Sequence, residues 1–261
     1  MSGTVRTEVA DGVGTIVLDH VERRNALTVA MWEALPGAAA AMTDDDAVRV
    51  VVVRGAGEVA FASGADISEF ETTRSSAELN RSYDRLVATA TGALGAIPKP
   101  VVAAVHGFCL GGGLAVALGC DLRVVADDAS FAIPAARLGV GYNAPGVRTL
   151  VSLVGPSATK RLLFTAARLP AGEALRIGLV DEVVAKSALD EHVRGLAATM
   201  ADNAPLTQAA VKVAVRELLR PEAERNHVAV DAAITACFDS ADFAEGVDAF
   251  LGKRRPRFTG R

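Results

Sequence analysis

Between residues 48 and 55 the chain reads VRVVVVRG, and between 101 and 107 it reads VVAAVHG. Neither run alternates. A continuous β-branched run suits a strand buried on both faces, where both rows of side chains meet apolar neighbours. The N-terminus carries the other strand pattern, with TVRTEVA (Thr4–Ala10) and VGTIVLD (Val13–Asp19) flanking Asp11-Gly12, a two-residue hairpin signal. LRVVAD (122–127) and SFAIP (130–134) predict two more strands, and LVDEVVA (179–185) a short apolar piece. Three- and four-residue spacing of apolar positions predicts helices over 29–42 and 76–97. Pro36 marks a kink or break in the first, and PKP at 98–100 ends the second. AGEVAFASGADISEF reads as a loop entering a short helix at 66–70, and DDD (44–46) as a solvated helix-end turn. From Gly146 onward the pattern is almost wholly helical, closing on a helix over 240–254 and the basic tail KRRPRFTGR.

Strands and helices that alternate through the first half imply a layered α/β arrangement, with β-β-α units recurring loosely. The helical last third reads as a second subdomain, which divides the chain at 1–195 and 196–261. The 261 residues are 51% hydrophobic, enough for a large core. Their apolar runs are broken well short of the ~18–20 residues a membrane-spanning helix needs. A net charge of −4 argues against nucleic acid as a partner. Cys109, Cys120 and Cys237 lie in apolar surroundings without CxxC spacing, so buried free thiols are expected and neither disulfide nor metal. MSGTVRTEVADG has no apolar core of a leader peptide, so a cytoplasmic location is expected.

Hydrolase elbows, zinc helices and phosphate loops are absent as motifs. His20, His192 and His227 stand in polar or helical contexts that predict solvated faces, whereas His106 reads as a core or supporting histidine. Two glycine loops stand out: FASGADIS (61–68) and CLGGGLAV (109–116), each following a buried strand. A glycine run that opens a helix suits anion binding through backbone N–H groups. Here no Lys, Ser or Thr accompanies it. Two N–H donors converging on one oxygen, one of them at a helix start, would form an oxyanion hole. The helix dipole adds roughly half a positive charge at that end.

ERRNALT, FASGADIS, AAVHGFCLGGGLAVALGCDLRVVADDASFAIPAARLGVGYN, KRLLFTA, EALRIGLVDEVV and DNAPL follow one another in order from Val5 to Phe258. In this combination the chain resembles the enoyl-CoA hydratase/isomerase, or crotonase, family. The resemblance implies a spiral of β-β-α turns with a helical C-terminal trimerisation region, as a homotrimer or a hexamer. It implies an acyl-CoA thioester as substrate and no further cofactor, with the thioester carbonyl held by the N–H groups of Ala65 and Gly112. It places Arg23, Arg24, Ala26, Ala62, Asp66, Ile67 and Ser68 along the CoA groove. Phe250 and Lys253 on the last helix become contacts for adenine and phosphate.

The chain departs from the family pattern where hydratases carry two glutamates. Ala115 stands three residues after Gly112, and Ala135 directly follows the proline that ends the SFAIP strand. Each such group typically supplies ~10²–10⁴ in rate. Tyr142 and Asn143 occupy positions where relatives place functional side chains. The RLGVGYN turn is similar to that of methylmalonyl-CoA decarboxylase, which has a histidine where this chain has Ala65. Asp66, Glu69 and Glu71 read as caps or solvated groups, and Arg137 as a carboxylate clamp or a trimer-surface residue. The expectation is therefore an enolate-stabilising acyl-CoA enzyme, a hydratase by family, with hydration weak or absent. The alternatives are decarboxylation of a malonyl-type CoA or double-bond isomerisation using Tyr142, and a non-catalytic acyl-CoA-binding protein.

Overall fold

The computed structural model describes residues 3–261; Met1 and Ser2, where MSGTVRTEVADG and the expected 1–195 unit begin, lie outside the described residues. Among the described residues ten strands form two sheets. They are β1 (Thr4–Ala10), β2 (Val13–Asp19), β3 (Val50–Gly55), β4 (Ala60–Ala62), β5 (Val101–Val105), β6 (Phe108–Leu110), β7 (Leu122–Ala126), β8 (Ser130–Ala132), β9 (Leu169–Pro170) and β10 (Glu182–Val184). The main sheet runs β1-β2-β3-β5-β7-β10, parallel except for the β1–β2 hairpin. The second sheet runs β4-β6-β8-β9. Successive strand pairs β3–β4, β5–β6 and β7–β8 each send one strand to each sheet. That repetition is the spiral.

Among the described residues ten α-helices accompany the strands. They are α1 (Val29–Asp44), α2 (Phe70–Thr73), α3 (Ala77–Ala96), α4 (Gly112–Leu118), α5 (Ala144–Thr165), α6 (Ala171–Arg176), α7 (Leu189–Ala201), α8 (Pro205–Leu218), α9 (His227–Phe238) and α10 (Ala241–Leu251). The unbroken valine runs are explained by layers on both sides of the main sheet. Val51, Val53, Val101, Ala103 and Val125 face the large core containing Trp32, Phe61 and Phe131. Val50, Val52, Val102, Ala104 and Val124 face Leu189, Val193 and Ala197 of α7. Helix α7, which runs across position 195, thus lies on the main sheet.

Several expectations change. Pro36 sits inside α1 without ending it, and Thr28 caps that helix by accepting from Met31 N–H. The break falls instead at Gly155 in α5, with φ 73° and ψ 170°. Pro156 follows, and a proline disfavours the helical conformation in the residue before it. Most of the second sheet lies where the sequence reads as loop, because three-residue strands carry no periodicity. His20 is buried, not solvated. It continues the inward row Ile16, Leu18 at two-residue spacing, and its Nδ1–H donates to the Ala26 carbonyl at 3.0 Å. His192 is exposed enough to meet Glu182 at 2.6 Å. Cys109 and Cys120 are buried and free, and burial pushes the Cys120 thiol up to about 12. Cys237 is only half-buried.

Candidate active site

The turn 20–27 and the loop 63–66 are sewn together by main-chain bonds, and one asparagine holds the turn. Asn25, buried at φ 55°, accepts from His20 N–H at 2.9 Å and donates to the carbonyls of Ala56 at 2.9 Å and Ala60 at 2.8 Å. Ser63 N–H then donates to Arg24 O, Leu27 N–H to Gly64 O, and Asp66 N–H to Leu27 O. In this parallel bridge the amide of Ala65 is the one left out.

The second loop arrives from β6. Gly111, with φ 48°, donates to Ala132 O at 2.8 Å and turns the chain into α4, whose first residue is Gly112. The first amides of a helix have no intrahelical acceptor. Gly112 is also where space decides the residue. A Cβ there would stand 3.0 Å from Trp32 Cζ2 and 3.3 Å from the Ala65 nitrogen. Gly112 thus stands against the Ala65 amide, and neither of the two nitrogens donates to a protein acceptor among the described residues. Both line a cavity of about 410 Å³.

The cavity walls bring Ala115, Ala135, Tyr142 and Asn143 to the same space. No Glu lines it. Tyr142 is raised above the ordinary tyrosine value, first by burial and then by the nearby Asp84 charge, so its hydroxyl stays protonated. Asn143 caps α5 by accepting from Gly146 N–H at 2.8 Å. Ile67, 69% exposed, stands at the rim. Asp66 is committed internally, accepting from Ser68 N–H at 3.0 Å and Ser68 Oγ–H at 2.7 Å. Burial opposes its ionisation, but those bonds together with the Arg23 and His20 charges outweigh burial and hold its carboxyl below 3.8. Glu69 caps α1, accepting from Val29 N–H at 2.8 Å.

Arg23 and Arg24 are exposed on the turn, and Ala26 and Ala62 are buried. Arg24 and Arg168 stack on the Phe108 ring, at 5.4 and 4.9 Å. Phe250 and Lys253 are not brought to this cavity within the chain. Phe250, 83% exposed, lines a separate apolar recess of about 780 Å³ between α8 and α10. His106 does not line the cavity either; burial and then the Arg54 and Lys186 charges depress its pKa, so its ring is neutral. Sequence reasoning passed over Trp32, Arg74, Tyr83 and Asp84, all in the cavity wall. Trp32 on α1 and Tyr83 and Asp84 on α3 belong to ordinary helix patterns, Arg74 follows α2, and only the fold joins them.

Fold and site together define a two-sheet α/β spiral with a main-chain donor pair at the mouth of a largely apolar cavity. Residues 8–261 match the family model described as enoyl-CoA hydratase/isomerase. The crotonyl-CoA hydratase of Syntrophomonas wolfei is 34% identical over 254 residues, 97% of each chain. The carnitinyl-CoA dehydratase of Salmonella typhi is 33% identical over 259 residues, 94% of each. Among solved structures, an enoyl-CoA hydratase/carnithine racemase from Magnetospirillum magneticum superposes with a TM-score of 0.92 at 34% identity, over 100% of this chain and 97% of its own. An enoyl-CoA hydratase/isomerase family protein from Hyphomonas neptunium gives a TM-score of 0.92 at 38% identity, over 98% of each chain. The chain belongs to the enoyl-CoA hydratase/isomerase family and has the crotonase fold.

Proposed function

We propose that this protein is an acyl-CoA enzyme that holds a thioester enolate through the N–H groups of Ala65 and Gly112, with hydration weak or absent. The observation that carries this reading is the free pair of amides over a cavity in which Ala115 and Ala135 replace both carboxylates. A thioester enolate concentrates charge on one oxygen. Neutral, preorganised donors in a dry site stabilise that charge most effectively. Water addition also needs a group to take a proton from water and another to protonate carbon. The cavity offers no glutamate for either.

Decarboxylation of a malonyl-type thioester is favoured as the second reading by that same absence. Loss of CO₂ leaves the bonding pair on the α-carbon and thioester oxygen as the enolate. A single proton, delivered by water beside the neutral Tyr142 hydroxyl, then completes the product. No base is required. Isomerisation would need a base to take a proton, and a binding protein would need only the groove. Arg23, Arg24 and Arg168 suit the phosphates of CoA at the groove mouth, where Ile67 and Ser68 also stand. The apolar faces of α8 to α10 suit a homotrimer or a hexamer, in which Phe250 and Lys253 of one subunit would meet the CoA of another.

The test is a product panel. Purified protein is incubated with crotonyl-, 3-hydroxybutyryl- and malonyl-type CoAs, and products are identified by mass. Expected are negligible crotonyl-CoA hydration and a gain of at least ~10² in that reaction for the double variant Ala115→Glu, Ala135→Glu. Hydration by the unmodified chain at ordinary enzyme rates of ~10 s⁻¹ would refute the role given to the two alanines. Binding without turnover of any thioester would leave the binding-protein reading.

A further inference from the structure

Among the described residues one cation lines the 410 Å³ cavity, Arg74, at the C-terminal edge of α2. Its guanidinium carbon lies 4.1 Å from the Tyr83 ring centroid and 5.1 Å from that of Phe70, so two aromatic rings fix its plane. Nη1–H donates to Asn80 Oδ1 at 3.0 Å. Asn80 Nδ2–H in turn donates to Asp84 Oδ2 at 3.2 Å. The Tyr83 hydroxyl is set by Trp32, whose Nε1–H donates to it at 2.8 Å.

Every device here orients the guanidinium, and none neutralises it. Among the described residues Arg74 forms no ion pair. Its Nε is buried without a hydrogen-bond acceptor. A half-buried cation without a counter-ion is unfavourable, and contact with the ring faces recovers only part of that loss. A buried N–H without an acceptor adds to it. With Nη1 turned to Asn80 and the guanidinium also meeting Tyr83, the donor without an acceptor among the described residues is Nε, on the side-on edge it shares with Nη2. Those are the two donors that take a carboxylate side-on, two oxygens to two parallel N–H groups.

We propose that Arg74 binds a carboxylate at the far end of the acyl chain, so that this cavity takes a monothioester of CoA with a short dicarboxylic acid. The proposal rests on the acyl-CoA reading of the same cavity. It adds what the acyl chain must carry. Asp84 does not compete for the guanidinium directly, because Asn80 stands between them. Its charge on the same wall makes the fit depend on the carboxylate reaching the Nε edge.

Equilibrium binding to the full chain tests this with two stable probes of equal carbon number, glutaryl-CoA and pentanoyl-CoA. The wild type is expected to bind glutaryl-CoA about tenfold or more tightly than pentanoyl-CoA. Arg74→Gln should abolish that preference while leaving pentanoyl-CoA affinity within about twofold. Arg74→Lys should recover only part of it, since an ammonium lacks the parallel donors. Equal affinities in the wild type, or an undiminished preference in Arg74→Gln, would overturn the assignment even if the CoA groove is correct. Preference for a thioester with a quaternary ammonium tail would overturn it in favour of Asp84. Failure of the wild type to bind either thioester would instead remove the acyl-CoA reading itself, and this one with it.

Discussion

At the scale of single residues, the site depends on two amides that only backbone geometry frees. Gly112→Pro removes one of them at the first helical position, where proline is tolerated. Gly112→Ala keeps the N–H but introduces a Cβ against Trp32 of the same reach. If the amide is the working group, the proline variant should lose ~10²–10³ in kcat relative to the alanine variant, with unchanged circular dichroism. Equal activity of the two would refute the role. Asp66 makes a pH prediction of known sign. Its carboxyl is held below 3.8, so the folded state binds that proton less readily than the unfolded state does. Stability from this group is complete above 3.8 and is lost as pH falls through the lower, folded value. Asp66→Asn should flatten the acid limb of a Tm-versus-pH curve. A limb of unchanged steepness would count against the cap.

Helices and strands were legible in the sequence wherever their pattern was long. The hairpin, β3, α3 and β5 were readable from alternation, an unbroken valine run or helical spacing. Strands β4 and β6 were not, because their three residues gain order from distant neighbours, 48 positions away in the Ala60–Phe108 pairing and 22 in the Phe108–Ser130 pairing. The misplaced break in α1 has a local cause, since a proline inside a helix forfeits one bond and packing made that loss bearable. The glycine loops were visible; the Arg74–Asn80–Asp84 wall was not, because nothing in a helix's polar face says which cavity it will meet. The α1–α3 contact gives a test at this scale. Trp32→Phe removes the donor to Tyr83 and leaves both helices otherwise intact. We expect a loss of about 1–2 kcal/mol in denaturant unfolding. A loss below ~0.3 kcal/mol would show that the bond contributes little beyond water.

For the whole molecule, the informative surface is the one the single chain leaves apolar. Val228 is 78% exposed, Phe238 63% and Phe250 83%, around the recess of about 780 Å³ or beside it. Patches of this kind on a folded chain mark association surfaces. Among the described residues no helix is long and apolar enough to cross a membrane. We expect sedimentation to give a trimer or a hexamer, and Phe238→Asp with Phe250→Asp to give a monomer. A wild-type monomer at micromolar concentration would refute the association and the placing of Phe250 and Lys253 at another subunit's site. The division at 196 was drawn from helical content, and the fold explains why content alone is a poor guide. Helix α7 looks like its C-terminal neighbours in sequence yet covers the main sheet.

The amide of Ala65 is free because Leu27 bonds to the peptide groups on either side of it. Its usefulness therefore does not reside in the alanine. Any residue except proline presents the same N–H from the same place, and no change of pH discharges it. A substitution at position 65 changes what stands beside that N–H but leaves the N–H itself. The cavity walls can thus drift, losing carboxylates or acquiring a guanidinium, while the chain keeps the donor pair that the proposed enolate chemistry requires. A molecule built this way can exchange one reaction for another by small steps, never passing through a form that holds nothing.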